Sequence, residues 1–279
     1  MTELRGLAGK NVLVTGGAKG QGYSHVLAFA KAGCNVAVLD VTEPIEGAYA
    51  LSTRKMLDAT VEVVESHGVR SLGLPCDVRD EEQIRGAVSA ALEFFEGRID
   101  VLVNNAAVGL AGSIQNIRAE DVDLVLGTNV RGPILVTKYV APAMITTGSG
   151  KIVNISSGVT GAGVANLSPY VASKYAVNGL TKAWATELSE FGINVNSVCP
   201  PTIRPGEGQG SGMLIAMATD FGMTADEAYE VLSSQQNLPG SKWRGESRHI
   251  TDAVLFLSSD NADQITGHVL EVDCGMATR

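Results

Sequence analysis

The chain of 279 residues carries a formal net charge of −9 and no basic run. That excludes nucleic acid and anionic membranes as partners, since both need positive charge to offset phosphate. Hydrophobic residues make up 45%, with 32 Gly against 9 Pro, which excludes a disordered chain and suits a continuous core with many short turns.

Strand patterns and helical patterns alternate nearly to the end. Short apolar runs predict strands at 11–15, 35–40, 71–74, 100–104, 151–156, 194–199 and 269–272. Helical spacing falls between them at 22–32, 53–67, 81–95, 119–146, 169–191 and 250–257. Little alternation within the strands implies a parallel sheet covered on both faces. The expected class is therefore α/β, a doubly wound parallel seven-stranded sheet with helices on both faces, in one domain over 1–279. Two stretches interrupt the alternation. Residues 41–52 lengthen the connection after the second strand, and 201–244 reads as a substrate lid with helices near 213–219 and 225–236.

The first strand runs into a helix through Gly16, Gly20, Gln21 and Gly22. Glycines there let the backbone turn sharply and let a pyrophosphate approach the helix N-terminus. Asp40 closes the second strand 18 residues past Gly22, near the spacing of about 20 at which an acidic residue binds the adenosine ribose. A carboxylate in that place repels a 2′-phosphate, so the expected cofactor is NAD rather than NADP. Lys19 argues the other way, but an exposed lysine is usually only a solvated charge.

Tyr170 and Lys174 lie four residues apart in a helical stretch, on one face, and Ser157 is 13 residues upstream. A nearby lysine ammonium and the positive nicotinamide ring both favour phenolate, so the tyrosine, ordinarily titrating near 10, is expected to be acidified toward a working base. Ser157 can hold a substrate oxygen as charge develops on it, whereas Ser156 should point to the opposite face. The four cysteines (Cys34, Cys76, Cys199 and Cys274) are scattered and form no CxxC pair. They read as reduced, mostly buried thiols, and no metal is expected. Met1 to Lys10 is polar and no apolar segment approaches transmembrane length, so the expectation is a soluble, cytoplasmic protein without a signal peptide.

Taken in order, Thr15-Gly16-x-x-x-Gly20-x-Gly22, Asp77-Val78, Asn104-Asn105-Ala106-Ala107, Asn129, Ser157 and Tyr170-x-x-x-Lys174 resemble the short-chain dehydrogenase/reductase family, from about Leu7 to Ala277. The resemblance implies a Rossmann-like NAD-dependent enzyme acting on a secondary alcohol or ketone. It further implies that Asp77 and Val78 meet the adenine, that Asn104 to Ala106 line the cofactor, and that Asn129 holds a relay water. Ile203 would present its backbone to the nicotinamide carboxamide. Departures from the family pattern are Ala107 for glycine, Pro201 for glycine, and Pro205 near a usual threonine.

Gly20-Gln21-Gly22-Tyr23-Ser24-His25 and Tyr49-Ala50-Leu51-Ser52-Thr53 are similar to the carveol-dehydrogenase-like, mycofactocin-coupled group. That likeness implies a hydrophobic cyclic or terpenoid-like substrate and an external redox carrier; family analogy also implies a homotetramer built through helices 119–146 and 169–191. A steroid or polyketide-type ketone is the alternative substrate, and a non-catalytic NAD-binding sensor the alternative function. A sensor, however, has no need of Ser157, Tyr170 and Lys174 together. A sugar-nucleotide epimerase would call for a larger C-terminal substrate domain than the chain after Arg244 supplies.

Overall fold

A computed structural model describes residues 4–161, 163–203, 212–220, 222–234, 237–238 and 245–278. Seven strands form one sheet: β1 (Asn11–Thr15), β2 (Asn35–Asp40), β3 (Ser71–Pro75), β4 (Val101–Asn104), β5 (Gly150–Ile155), β6 (Ile193–Cys199) and β7 (Val269–Glu271). Their order is β3-β2-β1-β4-β5-β6-β7, and every neighbouring pair is parallel. The helices are α1 (Gly20–Lys31), α2 (Arg54–Glu65), α3 (Glu81–Phe94), α4 (Ala119–Leu126), α5 (Gly132–Thr147), α6 (Ser168–Leu188), α7 (Gly212–Asp220), α8 (Ala225–Ser233) and α9 (Ser247–Ser258).

Successive strand residues point to opposite faces, and both faces are filled. Val12, Val14, Val36 and Val38 pack with Val26 and Phe29 of α1, Leu57 of α2 and Ile250 and Val254 of α9. Leu13, Leu39, Leu102 and Ile152 pack on the other side with Ile84 of α3 and Val136 and Val140 of α5. Burial on both sides is why the strands read as unbroken apolar runs. Each such side chain removed from water contributes about 1.5–3 kcal/mol before chain entropy is counted. Local signals set the helix ends: Thr53 accepts from the Met56 amide to cap α2, and Asp80 accepts from Glu82 and Gln83 to cap α3, each cap worth about 1 kcal/mol.

The single helix expected at 119–146 is instead α4 and α5 joined by a π-helical turn, Gly127–Arg131. Two segments stand apart from the sheet. Leu214 and Ala218 of α7 and Ala228 and Tyr229 of α8 form a small core of their own. The insert of residues 41–52 contributes Ile45, Ala48 and Leu51 to a cluster around Val108, Leu124 and Val125. The crevice above the sheet opens where the chain order reverses between β1 and β4, the usual ligand position in an open parallel sheet.

Candidate active site

After Thr15 the chain turns through Gly16 (φ 65°) and Gly20 (φ 56°), left-handed conformations that glycine adopts without strain. A methyl on Gly22 would stand 2.0 Å from the Gly16 carbonyl oxygen and 2.5 Å from Nδ2 of Asn105, so α1 can begin this close only with glycine there. The loop after β4 is stapled to the same turn. Thr15 Oγ1 accepts from the amides of Asn105 (3.0 Å) and Ala106 (3.1 Å), while Asn105 Nδ2 donates to the Thr15 and Gly16 carbonyls.

Asp40 is 8% exposed, and its Oδ2 accepts from the Ala18 amide at 2.8 Å. Burial pushes the carboxyl up to about 6, against the pull of the Ala18 and Val41 backbone hydrogen bonds and the Lys19 charge. Lys19 turns its ammonium to the Ala50 carbonyl at 2.8 Å, tying the glycine turn to the insert. Gln21 Nε2, Ser52 Oγ and Thr128 Oγ1 are buried without a hydrogen-bond partner among the described residues, and all three residues line the cavity. Buried polar atoms seldom stay unpaired, so the glycine cradle, the carboxylate and these three groups fit a ligand bearing phosphates and hydroxyls.

The cavity, about 310 Å³, continues from that turn to Ser157, Tyr170 and Lys174. Ser157 sits just past β5, and its hydroxyl lies near enough to the Tyr170 phenol to favour its ionised form. Lys174, one turn further along α6 and 3% exposed, donates from Nζ to the Ile155 carbonyl at 2.9 Å and lies 5.5 Å from the Tyr170 ring centroid. Ser156 Oγ donates to the Lys174 carbonyl, which fixes the helix against the strand end. Burial lowers the Lys174 ammonium to about 8. In the cofactor-free protein burial raises Tyr170 above its ordinary value, and the neighbouring Ser157 hydroxyl offsets only part of that. The Lys174 ammonium, held by the Ile155 carbonyl, stands beside the phenol ring.

A family model for short chain dehydrogenases matches residues 10–210. An uncharacterized oxidoreductase of Thermotoga maritima is 34% identical over 96% of this chain and 97% of its own length. The chain belongs to the short-chain dehydrogenase family. Among solved structures, carveol dehydrogenase from Mycobacterium avium in complex with NAD superposes with TM-score 0.89 at 31% identity, over 98% of this chain and 99% of that one. A short chain dehydrogenase from Mycobacterium paratuberculosis bound to NAD gives 0.86 at 31% identity, again over 98% and 99%.

In this short-chain dehydrogenase, Gly16, Gly20, Gln21, Gly22, Asp40, Asp77, Val78, Ala106, Ser157, Tyr170, Lys174 and Ile203 all border the one cavity. Asn104 and Asn129 do not line it. Asn104 ends β4 with its side chain on the face below, where Nδ2 donates to Thr137 and Asn154; its neighbour Asn105 takes the place expected of it. The Asn129 amide lies in the π turn, where it accepts from the Val108 amide, donates to the Val108 carbonyl and donates to Ser173 Oγ. Its side chain thus clamps Val108 to α6. Asp77 borders the cavity, but the Arg79 guanidinium already grips both its oxygens.

Of the apolar residues within 201–244, Met213, Leu214 and Leu232 reach the cavity and Met223 is exposed. The Met217 side chain, Pro205 and Trp243 lie outside the described residues. Sequence reasoning gave no cavity role to Tyr49 and Ser52, although both fall in the stretch that resembles the carveol-dehydrogenase-like group, and it passed over Thr128, which no motif marks. It also read Lys19 as solvated, whereas its ammonium is held by the Ala50 carbonyl.

Proposed function

We propose that this protein is an NAD-dependent oxidoreductase interconverting a secondary alcohol and its ketone. The carrying observation is the neighbouring Ser157–Tyr170 hydroxyl pair, which lines the same cavity as the glycine turn and Asp40. Bound NAD would accept hydride from the carbinol carbon, or return it to the ketone. The turn of Gly16, Gly20, Gln21 and Gly22 would hold its pyrophosphate, with Asp40 at the ribose, Asp77 and Val78 at the adenine, and Ala106, Ile203, Tyr170 and Lys174 further along. The carboxylate favours NAD over NADP, and Lys19, engaged by Ala50, is turned from a 2′-phosphate.

Two neighbouring hydroxyls can both contact a single substrate oxygen. Ser157 fixes that oxygen, and Tyr170 takes its proton in oxidation or gives it in reduction. Because the protein alone raises the phenol pKa, its acidification falls to the positive charge of the oxidised nicotinamide. Lys174, lowered to about 8 by burial, exchanges the proton onward at modest cost. With the Asn129 amide committed to Val108 and Ser173, relay to solvent runs through the main chain of the π turn, a helix form frequent at functional sites.

Val108, Val159, Leu167, Met213 and Leu214 give the cavity an apolar wall suited to a hydrophobic cyclic or terpenoid-like substrate, and the carveol dehydrogenase likeness supports the same class. Residues 201–244 act as its lid within one domain. Exposed Leu126, Ile134 and Tyr175 on α4, α5 and α6 support a homotetramer through those helices. An external redox carrier would take the electrons onward from the bound cofactor. The deciding experiment is a panel of secondary alcohols with NAD or an artificial electron acceptor. Tyr170→Phe is expected to lose turnover while binding NAD nearly as before; full activity in that variant refutes the mechanism.

A further inference from the structure

The insert of residues 41–52 sends one side chain into the cavity that the reaction above does not use. Tyr49 lines the cavity alongside Tyr170, and its hydroxyl comes close to the backbone of Gly109. Gly109 in turn lies flat against the Tyr170 ring: a methyl there would fall 3.0 Å from Cδ2 of Tyr170 and 2.3 Å from Sδ of Met213. The Tyr49 ring rests on the first residue of α7, since a methyl on Gly212 would stand 2.6 Å from its Cε2. The next carbonyl, of Ala50, holds the Lys19 ammonium of the glycine turn. One aromatic residue therefore meets the support of the proton donor and the start of the helix over the substrate, and its chain neighbour is tied to the cofactor turn.

We propose that Tyr49 is a positioning and specificity-determining residue, aligning Tyr170 through Gly109 and seating α7 over a ring-bearing apolar substrate. Its aromatic face narrows the cavity where a flat cyclic alcohol can lie against it, while a flexible linear alcohol gains less from such a wall. The kinetic part rests on the proposed alcohol oxidation; the seating of α7 does not.

The test compares Tyr49→Phe and Tyr49→Ala with the wild type, all loaded with NAD, using a cyclic and a linear secondary alcohol. Tyr49→Phe keeps the ring and loses only the contact to Gly109, so kcat should fall about tenfold with KM within about twofold. Tyr49→Ala should lose kcat similarly and also raise KM for the cyclic alcohol about tenfold, with KM for the linear one nearly unchanged. Amide hydrogen exchange should quicken in α7 for Tyr49→Ala, remain slow there for Tyr49→Phe, and stay unchanged in α6. Unchanged kinetics in both variants, or equal KM losses for both alcohols, overturns the positioning role. A wild type inactive on every alcohol would count against the proposed reaction, and α7 exchange then decides alone: no change in Tyr49→Ala overturns the seating as well.

Discussion

Replacing Asp40 with Asn should make the cofactor-free protein more stable at neutral pH and, at the same time, a poorer dinucleotide binder. Burial lifts the carboxyl from its ordinary 3.8 to about 6, so holding it ionised at pH 7.5 costs the folded state about 3 kcal/mol at about 1.4 kcal/mol per pH unit. Asparagine can still accept from one of the two backbone amides that Asp40 serves; losing the other costs about 1 kcal/mol. The net expectation is a gain of about 2 kcal/mol. A folded pKa above the unfolded one means that the carboxyl's stabilising contribution is complete below pH 3.8 and is lost as pH rises through about 6. Wild-type unfolding free energy should therefore fall relative to the variant across that window. Urea denaturation of cofactor-free protein at several pH values measures it. The variant should bind NAD about 10–100-fold more weakly, since hydrogen bonds to a charged group are worth about 1.5–3 kcal/mol, and should discriminate less against NADP. A variant less stable than wild type at pH 7.5, with a parallel pH dependence, would refute the reasoning.

Two further substitutions separate binding from scaffolding. Gly22→Ala places a methyl 2.0 Å from the Gly16 carbonyl, which must shift the turn; NAD titration should show affinity lost by about a hundredfold or more for a stability cost of about 1–3 kcal/mol. Asn129→Ala strands both backbone groups of Val108 and should cost about 2–4 kcal/mol in urea denaturation along with a fall in kcat. Unchanged stability there would remove the clamp and restore the side chain to a relay role.

The sheet was legible in the sequence because its signal is repeated: the apolar runs of β1, β2, β4, β5 and β6 are buried on both sides, and every run falls within a residue or two of its strand. Legible too were Ser157, Tyr170 and Lys174, whose spacing reflects a strand end facing one turn of a helix. The π turn was not, since one extra residue in a helix leaves the 3.6-residue pattern of 119–146 nearly intact. Asn104 and Asn105 could not be told apart by type, only by which face each takes at the end of β4. Proximity in sequence fixed a shared helix face for Tyr170 and Lys174 but not the direction of the ammonium, which the Ile155 carbonyl holds. The part played by Tyr49 depends on contacts with residues 60 and more positions away, which no local pattern records.

The small separate core of Leu214, Ala218, Ala228 and Tyr229 has a consequence for how such a protein can diversify. A helix pair that satisfies its own interior can accumulate changes on its inward surface without loosening the platform that carries the hydride chemistry. New tastes in substrate can thus be acquired at the periphery while the reaction centre is inherited unaltered, and grafting this pair between relatives is a direct route to redirecting them.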